Sequence, residues 1–411
     1  MSSLEIVAQG LDFPTSLTFD AQGAPWVAES GLPFAGAAPG GKIRRIGPDG
    51  RAEERLGGLK WPVNGLTFHD DLFYISEGGY PGRISRWAPG GDRETVLDGL
   101  PGLGNYHTNM AVVGPDGWLY FSQGALTNSG VIGLDAYEIG WLKRLPHNHD
   151  IPGYDIVLRG VNLETDNPHA TTGDRRIRTG AFSPFGTETR PGQRIEGRLP
   201  CTASVMRCGL DGSGLELVAW GLRNAYGLLF LPDGRLIATD QGADDRGSRP
   251  IGQAPDILFE VRPGAWYGWP DYVGGVPVTD QRFRPARGPQ PELLLANHGG
   301  LPPEAPLLRF AVNAAATKMD VLPSGQILVT LFGDERPMTG PPGPKIGRSL
   351  ARIDPTDWSI HPVEAGPFRR PIDVRVHPLE GTIYVLDFGE FEMGAGGVEA
   401  QAGTGALWRL G

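Results

Sequence analysis

Apolar and polar residues alternate along this chain in short runs that come in pairs, and six stretches repeat the same pair. They read FPTSLTFDAQGAPWVAESG from Phe13, WPVNGLTFHDDLFYISEGG from Trp61, YHTNMAVVGPDGWLYFSQG from Tyr106, NAYGLLFLPDGRLIATDQG from Asn224, AATKMDVLPSGQILVTLFG from Ala315 and RPIDVRVHPLEGTIYVLDFG from Arg370. Each opens with a polar or proline-containing step, runs into an alternating strand and turns at a Gly. It then returns through a second strand that ends in a carboxylate, amide or glycine. Period-two alternation predicts half-buried or buried strands, and a recurring two-strand unit is the signature of radially repeated sheets. The predicted fold class is all-β, a six-bladed β-propeller.

Later runs supply the other strands of each blade. GKIRRIGPDG from Gly41, GRISRWAPGG from Gly82 and SVMRCGLDGSG from Ser204 predict a third strand, and LELVAWGL at 215–222 predicts a fourth. LEIVAQGL at 4–11 is a near twin of that fourth strand, whereas the C-terminal GALWRLG from Gly405 is a third strand with nothing after it. The N-terminal strand is therefore expected to complete the last blade and close the ring, leaving no open sheet edge. The whole of 1–411 reads as one propeller domain. A segment too long for a propeller loop, 125–200, is inserted on the side of the channel mouth.

Composition changes this picture little. The 62 Gly and 38 Pro suit many tight turns. A formal net charge of −10 argues against a nucleic-acid partner, and no apolar run reaches the roughly 20 residues of a membrane span. Met1–Ser3 lead straight into a strand, so no signal peptide is read. Localisation is expected to be periplasmic or secreted if a leader was removed, and otherwise cytoplasmic. Cys201 and Cys208 read as two buried thiols rather than a disulfide. Oligomeric state is not legible.

The hairpin geometry locates the candidate chemistry. The first strand of each copy starts, and the second ends, on one face of the disc. Trp61 to Asn64, His107 to Asn109, Arg223 to Asn224 and Arg369 to Asp373 therefore surround one channel mouth. Glu29, Glu77, Gln123, Asp240, Asp334 and Asp387 join them from the return strands. His107 is the candidate base, because an imidazole titrates near working pH. His147, His149 and Asp150 in the insertion read as a solvated turn rather than a metal site. Trp266, Tyr267 and Trp269 read either as rings that stack on a bound ligand or as packing at the blade edge.

The stretch from Gly221 to Gly274, with GLRNAYGLLFLPDG, TDQGADDRG and AWYGWPDYVG, resembles the soluble quinoprotein glucose/sorbosone dehydrogenase family, and the HTNM run at His107 followed by PDGWLYFSQG is similar to that family's HxGG segment. The resemblance implies a dehydrogenase dependent on pyrroloquinoline quinone (PQQ) that oxidises a hydroxyl of an aldose or related sugar, assisted by Ca²⁺, and passes electrons to an acceptor. His107 would be the general base and Arg223 would stabilise charge on the quinone. Asn224, Arg370, Asp373 and Lys318 would bind the cofactor. Asn64, Asn109 and Trp269 would meet the substrate, and Gly242, Ala243 and Gln241 would hold the metal. The family's quinone-binding Lys is replaced here by Asp334 and Glu335, and the second Arg of its RxRD motif by Ile372. Two alternatives stand beside this one. The first is a metal-dependent lactonase-type hydrolase using Glu29, Glu77, Asn109, Asn224 and Asp373. The second is a noncatalytic binding propeller.

Overall fold

The computed structural model describes residues 4–170, 175–363, 366–394 and 397–411. Met1–Ser3 and residues 171–174 of the inserted polar stretch lie outside the described residues. The chain is nearly all β, built on six four-stranded antiparallel sheets. In chain order their first strands are Pro14–Phe19, Val63–His69, Thr108–Val113, Ala225–Phe230, Ala316–Val321 and Pro371–Val376. Within the first five sheets the four strands follow one another as neighbours. The sixth takes its outermost strand from the other end of the chain: Leu4–Leu11 pairs antiparallel with Gly405–Leu410, with Ile6 opposite Trp408.

Burial falls from the first strand to the fourth. Leu17, Leu66, Leu228 and Val374 in first strands are buried with most of their neighbours on both faces, so these strands read as near-continuous apolar or small-residue runs. Fourth strands such as Arg93–Leu100 keep only every third or fourth residue inside. Apolar clusters fill every junction between successive sheets, including the one between the sixth and the first, where Leu386 and Leu407 meet Leu11, Phe13 and Leu17. At the junction of the first and second sheets Phe73 packs on Trp26 at 4.6 Å, and truncating so buried a ring to Ala costs about 3–5 kcal/mol.

Every first strand slips register near its start. The shifts fall between Pro14 and Ser16, Val63 and Gly65, Thr108 and Ala111, Ala225 and Gly227, Ala316 and Met319, and Pro371 and Asp373. A bulge frees a residue from the ladder and re-aims its side chain. Here the freed residue reaches the next sheet. Thr15 Oγ1 donates to the Val63 carbonyl at 2.5 Å, Asn64 Nδ2 to Thr108 at 3.1 Å and Asn109 Nδ2 to Ala225 at 3.3 Å. Lys318, freed in the fifth sheet, donates to the carbonyls of Thr15 at 2.7 Å and Asn64 at 2.6 Å, in the first and second sheets. The first strands approach so closely that a Cβ on Gly227 would stand 2.4 Å from the Thr317 carbonyl oxygen, so glycine is required there.

Two long excursions leave the sheets. One separates Leu119–Gln123 from Ser204–Cys208 and carries the short helices Leu134–Ile139 and Trp141–Arg144. The other, between Pro255–Val261 and Leu308–Val312, is not apparent in the repeat. The two excursions pair with each other: Ile156–Leu158 lies between Arg194–Ile195 and Leu295–Asn297.

Candidate functional site

Carboxylates recur at the ends of return strands because they cap backbone. The approach to each first strand leaves N–H groups that no ladder satisfies. Asp240 accepts from the N–H of Arg223 at 3.2 Å and of Asn224 at 2.7 Å. Asp387 accepts from Arg369, Arg370 and Gly389. Glu29 accepts from Asp12, and Glu77 from Lys60. Burial pushes Asp240 up to about 7, offset in part by the N–H groups of Asn224 and Arg223. A rim rich in acids is thus in large part a set of buried caps.

At the third and fourth sheets these caps frame a denser cluster centred on Arg223. The side chain is buried, and each of its nitrogens is engaged. Nε donates to the Asn128 carbonyl at 2.9 Å. Nη1 donates to the carbonyls of Gln241 at 3.2 Å and Gly242 at 2.5 Å. Nη2 donates to Asn128 Oδ1 at 2.7 Å, to Asp244 at 2.9 Å and to the Tyr106 hydroxyl. Its guanidinium lies 4.5 Å from the Tyr106 ring centroid. The network continues outward: Arg246 bonds Asp244 at 3.0 Å and Asp135 at 2.7 Å. Asp135 belongs to the first inserted helix, so the insertion is tied to Arg223 by alternating charges. Asn224 joins from the adjacent position, receiving Asn109 at 2.8 Å and donating to Gln241 at 2.8 Å.

His107 follows Tyr106 directly, and the N–H of Gly124 bonds its carbonyl. Among the described residues its buried Nδ1 has no hydrogen-bond partner, and burial alone brings the imidazole down to about 4. It is therefore neutral across the ordinary pH range. Glu335 also stands uncommitted: among the described residues no group donates to its carboxylate. Burial pushes it up to about 7, with Arg370 and Arg246 pulling it down and Asp244 and Asp334 raising it further. Tyr106, Asn128, Asp135, Arg246 and Glu335 carry no motif that names them as a group. Only the DDRG and GDE segments at return-strand ends, and Tyr106 at the head of its copy, were visible signals.

Several residues expected at this site have other tasks. Asn64 and Asn109 spend amide hydrogens on the next sheet. Lys318 is fully buried with its amine on two carbonyls and 3.7 Å from Asp373, so it fills the space between the first strands instead of facing a ligand. Asp373 accepts from the N–H of Leu17 at 2.8 Å and pairs with Arg375 at 3.3 Å. Arg370 is enclosed by the carbonyls of Gly333 at 3.0 Å, Asp334 at 2.8 Å and Phe391 at 2.9 Å, and pairs with Glu392 at 3.0 Å. Trp269 is 4% exposed, edge-on to Phe182 and bonded to the Asn128 carbonyl, which makes it packing and not a sugar platform. In the inserted HNHD segment Asp150 is no solvated turn. It is buried, accepting from Leu126 and Thr127. Cys201 and Cys208 are unbonded buried thiols, pushed up to about 12 by burial.

Searches by sequence find no family model and no curated protein that matches the chain. Comparison of structures does find chains of similar fold. The PQQ-bound aldose sugar dehydrogenase of Streptomyces coelicolor aligns over all of this chain and 98% of its own, with a TM-score of 0.59 and 17% identity. A soluble aldose sugar dehydrogenase of Escherichia coli in its apo form aligns over 100% and 99%, at 0.55 and 13%. A calcium structure of a Trichoderma reesei carbohydrate-active enzyme of family AA12 aligns over 100% and 95%, at 0.57 and 14%. The chain shares their fold.

The donor set can be tested against the two groups that the resemblance implies. A tricarboxylated quinone needs cations with free donors, yet Arg223, Arg370 and Lys318 are all occupied. A Ca²⁺ on the Gly242 carbonyl would face the guanidinium that already binds that oxygen at 2.5 Å. Among the described residues no three His, Cys, Asp or Glu side chains are grouped to hold a metal. These residues do not fit PQQ or Ca²⁺ at the expected positions. The carboxylates invoked for a lactonase are equally spent: Glu77 is bound by Arg83, Ser85 and Lys60, and Glu29 by Arg44 at 2.8 Å. Among the described residues no helix is long and apolar enough to cross a membrane.

Proposed function

We propose that the chain is an oxidoreductase acting on a hydroxyl of an aldose or related sugar, with the six sheets forming the blades of a propeller closed by Leu4–Leu11. The observation that carries the reading is the half-buried imidazole of His107, whose Nδ1 has no hydrogen-bond partner among the described residues and which follows Tyr106 of the Arg223 cluster in the chain, on a fold shared with sugar dehydrogenases. Oxidising a hydroxyl-bearing carbon removes a proton from oxygen and a hydride from carbon. His107 accepts the proton, and a nitrogen with no competing partner is free to do so. Arg223, fixed by its carbonyl and carboxylate partners, acts on the developing alkoxide through its field. The inserted helices, tied in through Asp135 and Arg246, restrict water at the mouth. The hydride passes to an oxidised acceptor drawn from solution, in the assay a reducible dye, so that the acceptor is reduced as the hydroxyl-bearing carbon becomes a carbonyl.

The deciding assay is dye reduction with a panel of aldoses and polyols, run with and without added PQQ and Ca²⁺. Sugar-dependent reduction that disappears in a folded His107→Ala variant supports the assignment. If no sugar reduces dye under any of these conditions, the assignment fails. Hydrolysis of lactones by the same protein would then move it to the hydrolase class.

A further inference from the structure

We infer that the chain carries a second ligand site, a saccharide-binding cavity at the end of the sixth sheet, separate from the cluster around Arg223. The first strands meet in ring order, which puts the sixth sheet across the ring from the third, the sheet that His107 introduces. The cavity forms where the link between Ile383–Asp387 and Gly405–Leu410 folds into a ribbon, Phe391–Gly394 against Gly397–Ala400. That ribbon faces Arg348, which precedes Ser349–Ile353 of the fifth sheet. The enclosed volume is about 550 Å³, inside the range of roughly 300–1,000 Å³ that small-molecule sites occupy.

The walls carry three arginines and three glutamates, so the cavity has no net charge. Most of these charges answer one another. Glu392 holds Arg348 at 2.8 Å and Arg370 at 3.0 Å, and Glu390 holds Arg369 at 3.0 Å. An anionic ligand would have to compete with these carboxylates for the guanidinium groups. Hydroxyls displace nothing, because a paired carboxylate keeps free lone pairs and Arg369 spends a single side-chain nitrogen on Glu390. Glu399 is left over. It stands opposite Glu392 in the ribbon with no cation of its own among the described residues, and like charges so placed destabilise a strand pair. The Gln401 amide is a second wall group whose side chain has no partner among the described residues, and the Nε of Arg348 is a buried donor with none. A polyol both donates and accepts at each hydroxyl, so one ligand can serve all three, while Phe368 and Phe391 offer an apolar wall to the C–H face of a pyranose.

Hydrogen exchange of the full chain with and without cellobiose tests this, together with isothermal titration of cellobiose and citrate on the wild type, Arg369→Ala and Gln401→Ala. Cellobiose should slow exchange in Phe391–Gly394 and Gly397–Ala400. Its affinity should fall about tenfold in Arg369→Ala, the size of one hydrogen bond to a charged group. Gln401→Ala should lower it by a smaller factor, and His107→Ala should leave it unchanged. Both Arg369 and Gln401 are exposed, so the variants are expected to fold, which circular dichroism checks. Protection confined to segments around His107, an affinity unaltered in Arg369→Ala, tighter binding of citrate than of cellobiose, or no binding of cellobiose would overturn the inference. None of these outcomes decides sugar oxidation, which dye reduction reads separately.

Discussion

Arg223 and Arg370 stand on the equivalent approaches to the fourth and sixth sheets, Arg223 two residues and Arg370 one residue before the first strand, and their surroundings differ in kind. Both precede a first strand, both are buried, and both donate their backbone N–H to the aspartate that ends the return strand, Asp240 in one case and Asp387 in the other. From that shared frame Arg370 reaches back to carbonyls of the fifth sheet and to Glu392, whose side chain is 44% exposed. Its surroundings are mostly dipoles. Arg223 instead enters a run of alternating charges, Arg223–Asp244–Arg246–Asp135, none of them more than 14% exposed. One position is a rivet between sheets. The other couples the sheet ends to an inserted helix. A repeat can thus supply comparable strand approaches, and a single insertion can give one of them a charge network that the other lacks.

The sharpest way to break this contrast is at the imidazole. His107→Ala should lower kcat by about 10²- to 10⁴-fold, the usual worth of a positioned base, with an unchanged circular dichroism spectrum. Unaltered turnover would remove the site from the Arg223 side altogether. Next in size, Arg223→Met should destabilise the protein by about 3–5 kcal/mol in urea titrations, because it strands part of a buried charge network. Arg370→Met should cost less, since Glu392 is solvated when released. A reversal of that order would mean that the sixth-sheet arginine, not the fourth, holds the more demanding charge.

Arg246→Met should loosen the inserted helices while leaving the sheets folded, a loss of about 1–3 kcal/mol. Limited proteolysis should then cut between Leu134 and Asp150 sooner than in the wild type. Cleavage confined to sheet loops would sever the proposed tie between insertion and site. The smallest effects are those of pH. With His107 brought down to about 4 by burial, the acid limb of kcat/KM should lie near pH 4 and not near 6.5. Glu335 is raised from 4.5 to about 7, so its favourable contribution is complete below pH 4.5 and is lost as pH rises towards 7. Glu335→Gln should therefore gain thermal midpoint relative to the wild type between pH 5 and 8. Parallel profiles would show that this carboxylate ionises freely.

The strand repeat, the glycine turns and the twin ends LEIVAQGL and LELVAWGL were legible because period-two alternation and turn chemistry are local properties, set by steric and solvation rules within a few residues. The amino-acid sequence by itself therefore determined the six sheets and the pairing of Leu4–Leu11 with Gly405–Leu410. It also singled out His107, Arg223 and Asn224. It could not determine how the polar groups at those ends are spent, because a hydrogen-bond partner is chosen by three-dimensional proximity. Asn64 and Asn109 looked like substrate amides and became links between sheets. Lys318 looked like a cofactor cation and became the filling between first strands, while Trp269 turned from platform to packing. Only the tertiary structure brought Asp135 of an inserted helix to Arg246 and Asp244, residues more than 100 positions away. It alone left the Nδ1 of His107 without a hydrogen-bond partner among the described residues, since whether a buried polar group is satisfied depends on every segment that folds around it.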